Sequence, residues 1–323
     1  GASGTSLLAL LATRTAPERR AAAATITWMM MIAGIVVTSI VTGFLLEPYS
    51  HPRLIAVTAA TGAVAFIIAC LAVRGVERKP ALPDPAPRPA AASFRDSLAD
   101  VWQDRQARLF TVFVFLSMLA YSTQDLILEP FAGLVFGWTP GETTRLAGVQ
   151  HGGVFLGMVL TGVAGSLLSK RYPGALRAFT VGGCIASALA LACLTFAAAH
   201  PEIWPLRANV FALGFANGVF AVAAIGSMMA LAGAAGPERT GMRMGLWGAA
   251  QAIAFGLGGL VGTASVDIAR WLSGQIAFSY GLVFAAEAFV FLIAAALAAR
   301  IAVTRIEPAS RPTETIAHAT PAE

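Results

Sequence analysis

Long apolar runs, interrupted by short polar clusters, make up most of the chain. The apolar positions do not alternate with polar ones over the ten or so residues that a membrane strand shows. They run on for about 20 residues or more, the length of a helix that crosses a bilayer. The pattern predicts spans at about 21–46, 54–73, 109–131, 144–169, 175–199, 205–233, 243–268 and 277–300, with a shorter apolar stretch at 1–13. The expectation is therefore eight full spans and one truncated span.

The polar clusters alternate in basic content. Arg14, Arg19 and Arg20 follow the first stretch, and Arg53 stands alone after the next. Arg74, Arg78, Lys79, Arg88, Arg95, Arg105 and Arg108 then crowd one connection, and Arg145 is alone again. Lys170, Arg171 and Arg177 precede a lone Arg207, Arg239 and Arg243 precede a lone Arg270, and Arg300, Arg305 and Arg311 close the chain. This is the positive-inside alternation. It predicts that residues 14–20, 74–108, 170–177, 236–243 and the tail after Arg300 are cytoplasmic. Trp138, Trp204 and Trp271 all fall at the opposite ends of the spans, as an interfacial belt would.

Composition sharpens the class. Of 323 residues, 57% are hydrophobic and 12% are charged, and the mean hydropathy is +0.72. Soluble domains carry about 25% charged residues. A nucleic-acid binder, a secreted disulfide scaffold and a disordered tail are excluded. The net charge of +5 is accounted for by topology and needs no anionic ligand. Cys70, Cys184 and Cys193 lie in apolar runs without metal-ligand spacing, which argues against a disulfide framework or a zinc site. The chain opens on Gly1 in an apolar stretch without a basic leader. It does not read as a signal peptide, and the missing Met predicts that an amino-terminal part is absent.

One connection differs from the rest. The run Lys79-Pro-Ala-Leu-Pro-Asp-Pro-Ala-Pro-Arg-Pro has the composition of a semi-extended linker. Phe94 to Arg108, with Trp102, reads as an amphipathic surface helix. The linker separates three spans from six. An internal repeat fits that imbalance: Ser6-Leu-Leu-Ala-Leu10 resembles Ser227-Met-Met-Ala-Leu231, Pro17-Glu-Arg19 recurs as Pro237-Glu-Arg239, and Trp28 matches Trp247. A duplication with a six-span period predicts a twelve-span, all-α membrane bundle of two six-helix halves, with about the first three helices absent. The expected units are 1–73 (spans 4 to 6), the linker 74–108, the carboxy-terminal six-helix bundle 109–300 and the tail 301–323.

Ionisable residues inside spans mark function by default. Glu287 sits near the middle of the last span, as a proton-carrying or ligand-orienting acid or as an acid hydrogen-bonded to a neighbouring helix. Gln124, Asp125 and Glu129 cluster in one span, and the two acids, four apart, share a helix face. They could bind a cation or pair with Arg145 or Arg207, and Pro130 is expected to break or kink the helix. His151 is the one histidine expected within a span, with open space beside it at Gly152 and Gly153. A neutral imidazole there could ligate the magnesium of a chlorophyll-type pigment or hydrogen-bond within a cavity. Asn209, Asn217 and Gln251 are further polar candidates. Gly241-x-x-x-Gly245 and Gly258-x-x-x-Gly262 read as helix-packing motifs. There is no P-loop lysine, no nucleophile–base motif, no H-x-x-x-H spacing and hence no catalytic or metal-binding set.

Two resemblances follow. Six plus six spans about a cytoplasmic loop resemble the major facilitator superfamily. Its loop motif is echoed in Gly165-Ser-Leu-Leu-Ser-Lys-Arg-Tyr-Pro-Gly-Ala-Leu-Arg177, with Ser169 in place of the usual aspartate. More specifically, Tyr121-Ser-Thr-Gln-Asp-Leu-Ile-Leu-Glu-Pro-Phe-Ala-Gly133, Phe136-Gly-Trp-Thr-Pro-Gly-Glu-Thr-Thr144, Gly241 to Gly259 and Thr25-Ile-Thr-Trp-Met-Met-Met-Ile32 are similar to the PucC/LhaA family of phototrophic bacteria. That resemblance implies assembly of light-harvesting complexes in an inner or intracytoplasmic photosynthetic membrane. It implies antenna polypeptides and the reaction centre core complex as partners, besides lipid, and no nucleic acid. It makes bacteriochlorophyll a the candidate ligand, and His151, Asp125, Glu129, Gln124, Glu287, Asn217 and Gln251 the candidate ligand-binding residues. The alternative reading is a proton-coupled secondary transporter of a small molecule, and a more distant one is a tetrapyrrole-modifying enzyme.

Overall fold

The computed structural model describes residues 20–74, 99, 102–168, 171, 172, 174–233 and 237–301. The apolar stretch at 1–13, most of the Pro-rich linker and the tail lie outside the described residues; of the expected surface helix Phe94 to Arg108, residues 99 and 102–108 are described, and Arg105 to Arg108 belong instead to the membrane helix that Asp104 starts. Within them the chain forms eight helices: α1 (Arg20–Leu45), α2 (His51–Val73), α3 (Arg105–Phe136), α4 (Pro140–Leu168), α5 (Ala175–Ala199), α6 (Leu206–Gly233), α7 (Pro237–Ser273) and α8 (Ile276–Ala299). Each is long and apolar enough to cross a membrane, and no strand occurs among the described residues. The protein is all-helical and polytopic, and every full span read from the apolar pattern has its helix.

The ends have local causes. Ser50 caps α2, its hydroxyl accepting from the Arg53 amide at 3.3 Å. Asp104 caps α3, its Oδ1 accepting from the Gln106 and Ala107 amides at 2.8 and 3.4 Å, which starts that helix four residues before the apolar run. The helix does not break at Pro130. It continues to Phe136 because Phe131 and Ala132 are completely buried, and their packing outweighs the amide that proline lacks. Gly137 ends it in the left-handed region, φ 71°, where a side chain would be strained.

Helices α3 to α8 pack together, with α4 on α6, α5 on α8, and α3 between α7 and α8. Phe110, Phe113, Phe131, Phe220, Phe284, Phe291 and Trp247 fill the core. Against this bundle α1 packs on α4, and α2 packs mainly on α1 and buries none of its residues. The closest helix pair is α4 with α6. A methyl at Gly153 would meet the Phe211 carbonyl and the Phe215 amide, and one at Gly214 would meet the Gln150 carbonyl. Small residues on both sides let the two backbones touch.

The helix-packing motifs predicted in α7 divide. Gly258 and Gly262 do admit α3: a methyl there would fall 2.6 Å from Ser122 Cβ and 2.7 Å from Thr123 Cγ2. Gly245 has nothing within 4 Å, so its spacing serves no close contact here.

Candidate functional site

An apolar cleft opens between α1, α3, α4, α6 and α7. Trp28 of α1, Phe110, Met118 and Tyr121 of α3, Met158 of α4, Phe220 and Met228 of α6 and Phe255 of α7 form its walls. Asn217 and Gln251 are its amide groups. Three flexible methionines and four aromatic rings beside Tyr121 make a surface suited to a large, flat, apolar molecule.

An acid–imidazole pair lies beyond one end of the cleft, outside its lining. Tyr121 and Val154 line it, and Asp125 and His151 lie one turn further along the same two helices, toward Trp138. His151 Nδ1 is 2.9 Å from the Ala147 carbonyl. A carbonyl only accepts, so Nδ1 carries the hydrogen and Nε2 carries the lone pair in the neutral ring. Nε2 is 3.9 Å from Asp125 Oδ1, beyond hydrogen-bond range. Backbone fixation of one ring nitrogen, leaving the other available, is the arrangement of a metal-ligating histidine. Glu129 is one turn beyond Asp125 and within electrostatic reach of both partners.

Part of the expected surroundings is different. Arg145 and Arg207 do not neutralise Asp125 and Glu129. Arg145 donates to Glu47 in the loop between α1 and α2 at 2.7 Å, and Arg207 lies over the Trp138 ring at 5.1 Å. Both arginines sit at a helix end, where they reach partners of their own, while Asp125 is deeper. The open space expected beside His151 exists at Gly152, which has nothing within 4 Å, but Gly153 is packed against α6.

The remaining candidates fall in three places. Gln251 lies on the cleft wall. Asn209 is structural: it accepts from Trp204 Nε1 at 2.9 Å and donates to the Ala190 carbonyl at 3.0 Å. Gln124 and Glu287 are 0% and 5% exposed and lie inside the bundle, away from the cleft walls, and Asn217 stands between the two regions.

The Tyr121 to Asp125 stretch explains itself on a helical wheel. At 100° per residue five consecutive side chains sweep a full turn. Tyr121 meets the cleft, and Ser122 and Thr123 donate to the Phe255 and Gly258 carbonyls of α7 at 3.1 and 3.0 Å. Gln124 enters the core, and Asp125 faces His151. The roles of Ser122 and Thr123, of the three methionines and of Glu47 were not read from the sequence. Nothing in their local pattern marks them, since each acts through a partner far along the chain.

Comparison with known proteins agrees in one direction. A family model described as PUCC protein matches residues 1–306. The chain is 52% identical over 305 residues to the "Bacteriochlorophyll synthase 44.5 kDa chain" of Rhodobacter capsulatus, covering 94% of this chain and 70% of that one. It is 28% identical over 302 residues to "Protein PucC" of Rhodobacter capsulatus, covering 90% and 63%. It is 28% identical over 253 residues to "Protein PucC" of Rhodovulum sulfidophilum, covering 75% and 52%. The chain thus spans between half and two thirds of the length of these two PucC relatives.

Proposed function

The chain belongs to the PucC family, and on that premise we propose that it is a membrane assembly factor for bacterial light-harvesting antenna complexes, binding bacteriochlorophyll a in the cleft for delivery to antenna polypeptides. The membrane is the inner or intracytoplasmic photosynthetic membrane, with the basic connections and the carboxy-terminus on the cytoplasmic side. The antenna polypeptides and the reaction centre core complex are the partners. The protein is a two-halved facilitator-like bundle put to binding in place of catalysis: one relative carries a synthase name, but no nucleophile–base set accompanies the cleft residues.

The observation that supports this reading most is His151 beyond the end of the cleft. The walls fit a tetrapyrrole, since they are aromatic and methionine-rich with only two amide groups to desolvate. The donor fits the magnesium, since His151 is fixed through Nδ1 by the Ala147 carbonyl, which leaves Nε2 as the nitrogen for a metal. Bound pigment would supply the light-absorbing ring and a magnesium ion, which His151 would hold. Asp125 and Glu129 would orient and polarise that end, and Tyr121, Gln251 and Asn217 offer hydrogen bonds to polar substituents on the ring. Gln124 and Glu287 support the site from inside the bundle.

Purification from a phototrophic host in mild detergent tests the reading. Co-purified bacteriochlorophyll and antenna peptides are expected, with pigment lost in His151→Ala. A colourless, partner-free protein that takes up protons with a small substrate would replace this reading with the transporter.

A further inference from the structure

Four polar side chains meet at one depth inside the bundle, beside the cleft. Three independent contacts fix their level on α8. The Phe131 ring of α3 packs on Tyr280 and Phe284 at 5.6 and 4.9 Å, so Gln124, seven residues back on an antiparallel helix, falls opposite residues 287–291. Thr195 of α5 donates to the Gly281 carbonyl at 3.2 Å, so Ser187, eight residues back, falls opposite residue 289. Phe220 of α6 packs on Phe291 at 5.5 Å, so Asn217, on a helix parallel to α8, falls opposite residue 288. At 1.5 Å per residue all three lie within about 6 Å of Glu287 in depth. For Gln124 and Glu287 the faces agree as well: positions seven apart differ by only about 20° around a helix, so Gln124 shares the face of Phe131, and Glu287 shares that of Tyr280, while Ser187 and Asn217 are joined by their own hydrogen bond.

These groups have unused bonding capacity. Both carboxyl oxygens of Glu287, both amide atoms of Gln124 and Nδ2 of Asn217 have no hydrogen-bond partner, although all three residues are more than nine-tenths buried. Ser187 Oγ donates to Asn217 Oδ1 at 2.9 Å. Among the described residues the ion pairs are Arg145 with Glu47 and Arg243 with Asp104, the His151–Asp125 contact stands apart at 3.9 Å, and none of these reaches Glu287.

We propose that Glu287, Gln124, Asn217 and Ser187 form a binding site for one positive charge, a proton or a monovalent metal cation. A lone carboxylate in apolar surroundings is prohibitively costly, and one positive charge neutralises it, whereas a divalent ion would leave an excess. The donors are all oxygens, the ligands that hard cations take, and the amide N–H groups solvate the carboxyl in its acid form. Asn217 also lines the cleft, which gives the charge a way in. The proposal stands on these side chains alone and holds whether or not the cleft binds pigment.

Dicyclohexylcarbodiimide tests it on the purified full chain at neutral pH. The reagent adds a buried carboxylic acid across one C=N bond and rearranges to a stable N-acylurea, with no leaving group, and the adduct is located by mass spectrometry. An adduct on Glu287 in choline chloride, absent from Glu287→Gln and unaffected by sodium, assigns the occupant as a proton. An adduct that sodium suppresses assigns a monovalent cation. No adduct on Glu287 in either salt overturns the proposal. Gln124→Leu and Asn217→Leu are each expected to change the labelling rate about fivefold, the equivalent of one hydrogen bond. Unchanged rates in both folded variants would remove the amides from the site and overturn it as drawn.

Discussion

Asp104 serves two helices with its two oxygens. Oδ1 caps α3 through the Gln106 amide at 2.8 Å, and Oδ2 accepts from the Arg243 guanidinium of α7. Arg243 is only 8% exposed and donates also to the Leu231 carbonyl of α6 at 2.8 Å. One carboxylate thus joins the start of α3 to α7 and, through Arg243, to the end of α6. Trp247, one turn further along α7, packs on Phe110 of α3 with ring centroids 4.7 Å apart.

Asp104→Ala should therefore cost more than a helix cap. The cap alone is worth about 1 kcal/mol, and leaving Arg243 without its carboxylate adds roughly 1–3 kcal/mol. Thermal unfolding in detergent should show a clear drop for Asp104→Ala and a smaller one for Asp104→Asn, which keeps the cap. Equal losses in the two variants would mean that the guanidinium contributes nothing.

Two adjacent glycines should respond with opposite signs. A methyl at Gly152 meets nothing within 4 Å, whereas at Gly153 it meets the backbone of α6. Gly152→Ala is expected to stabilise by up to about 1 kcal/mol through helix propensity. Gly153→Ala should destabilise by roughly 1–3 kcal/mol through overpacking and displace His151. Melting temperatures of the two variants decide this, and a shift in the same direction for both would be inconsistent with the α4–α6 contact.

The Glu47–Arg145 pair gives a pH dependence. The hydrogen bond from Arg145 holds the Glu47 carboxyl below its ordinary value. A folded value lower than the unfolded one adds stability that is complete above the ordinary carboxylate range and is lost as pH falls through the folded value. The pair is solvent-exposed, so the effect is small. The difference in melting temperature between the natural chain and Glu47→Gln should be largest at neutral pH and close in acid. A pH-independent difference would exclude the ion pair as its source.

His151 separates ligation from packing. If Nε2 takes the magnesium, His151→Gln should lose bound pigment or shift its long-wavelength absorption band, with the melting temperature nearly unchanged. Asp125→Asn should retain the pigment and change the band less. Pigment bound with an identical spectrum in His151→Gln would move the ligand elsewhere.

The span pattern was legible because each helix is individually apolar, and hydrophobic length is a local property. The site was legible only where a residue is costly on its own: Asp125, Glu129, His151 and Glu287 stand out against lipid-like neighbours. What they pair with was not. Arg145 and Arg207 looked like partners for the acids because all four are expected near the same membrane face, yet depth sends one to Glu47 and the other to Trp138. Pro130 looked like a break because proline removes a donor, and the buried Phe131 and Ala132 override it. The seam between α4 and α6 was missed because its glycines become a motif only when two distant helices are laid together, whereas Gly245 carries the motif spacing with nothing within 4 Å.

The Gly43–Gly141 contact fixes how α1 meets the bundle. A methyl at either glycine would strike the other's carbonyl, at 2.8 and 2.7 Å, and the Glu47–Arg145 pair lies next to it. Near Trp138 the two helices therefore meet backbone to backbone at a fixed point. Trp28, fifteen residues and about 22 Å along α1, borders the cleft. Between the two, Ile32 packs with Val154 and Met158 of α4, so α1 is held on α4 along its length up to the cleft. Any change in the cleft wall at Trp28 is therefore transmitted to α4 through Ile32 and the Gly43–Gly141 contact.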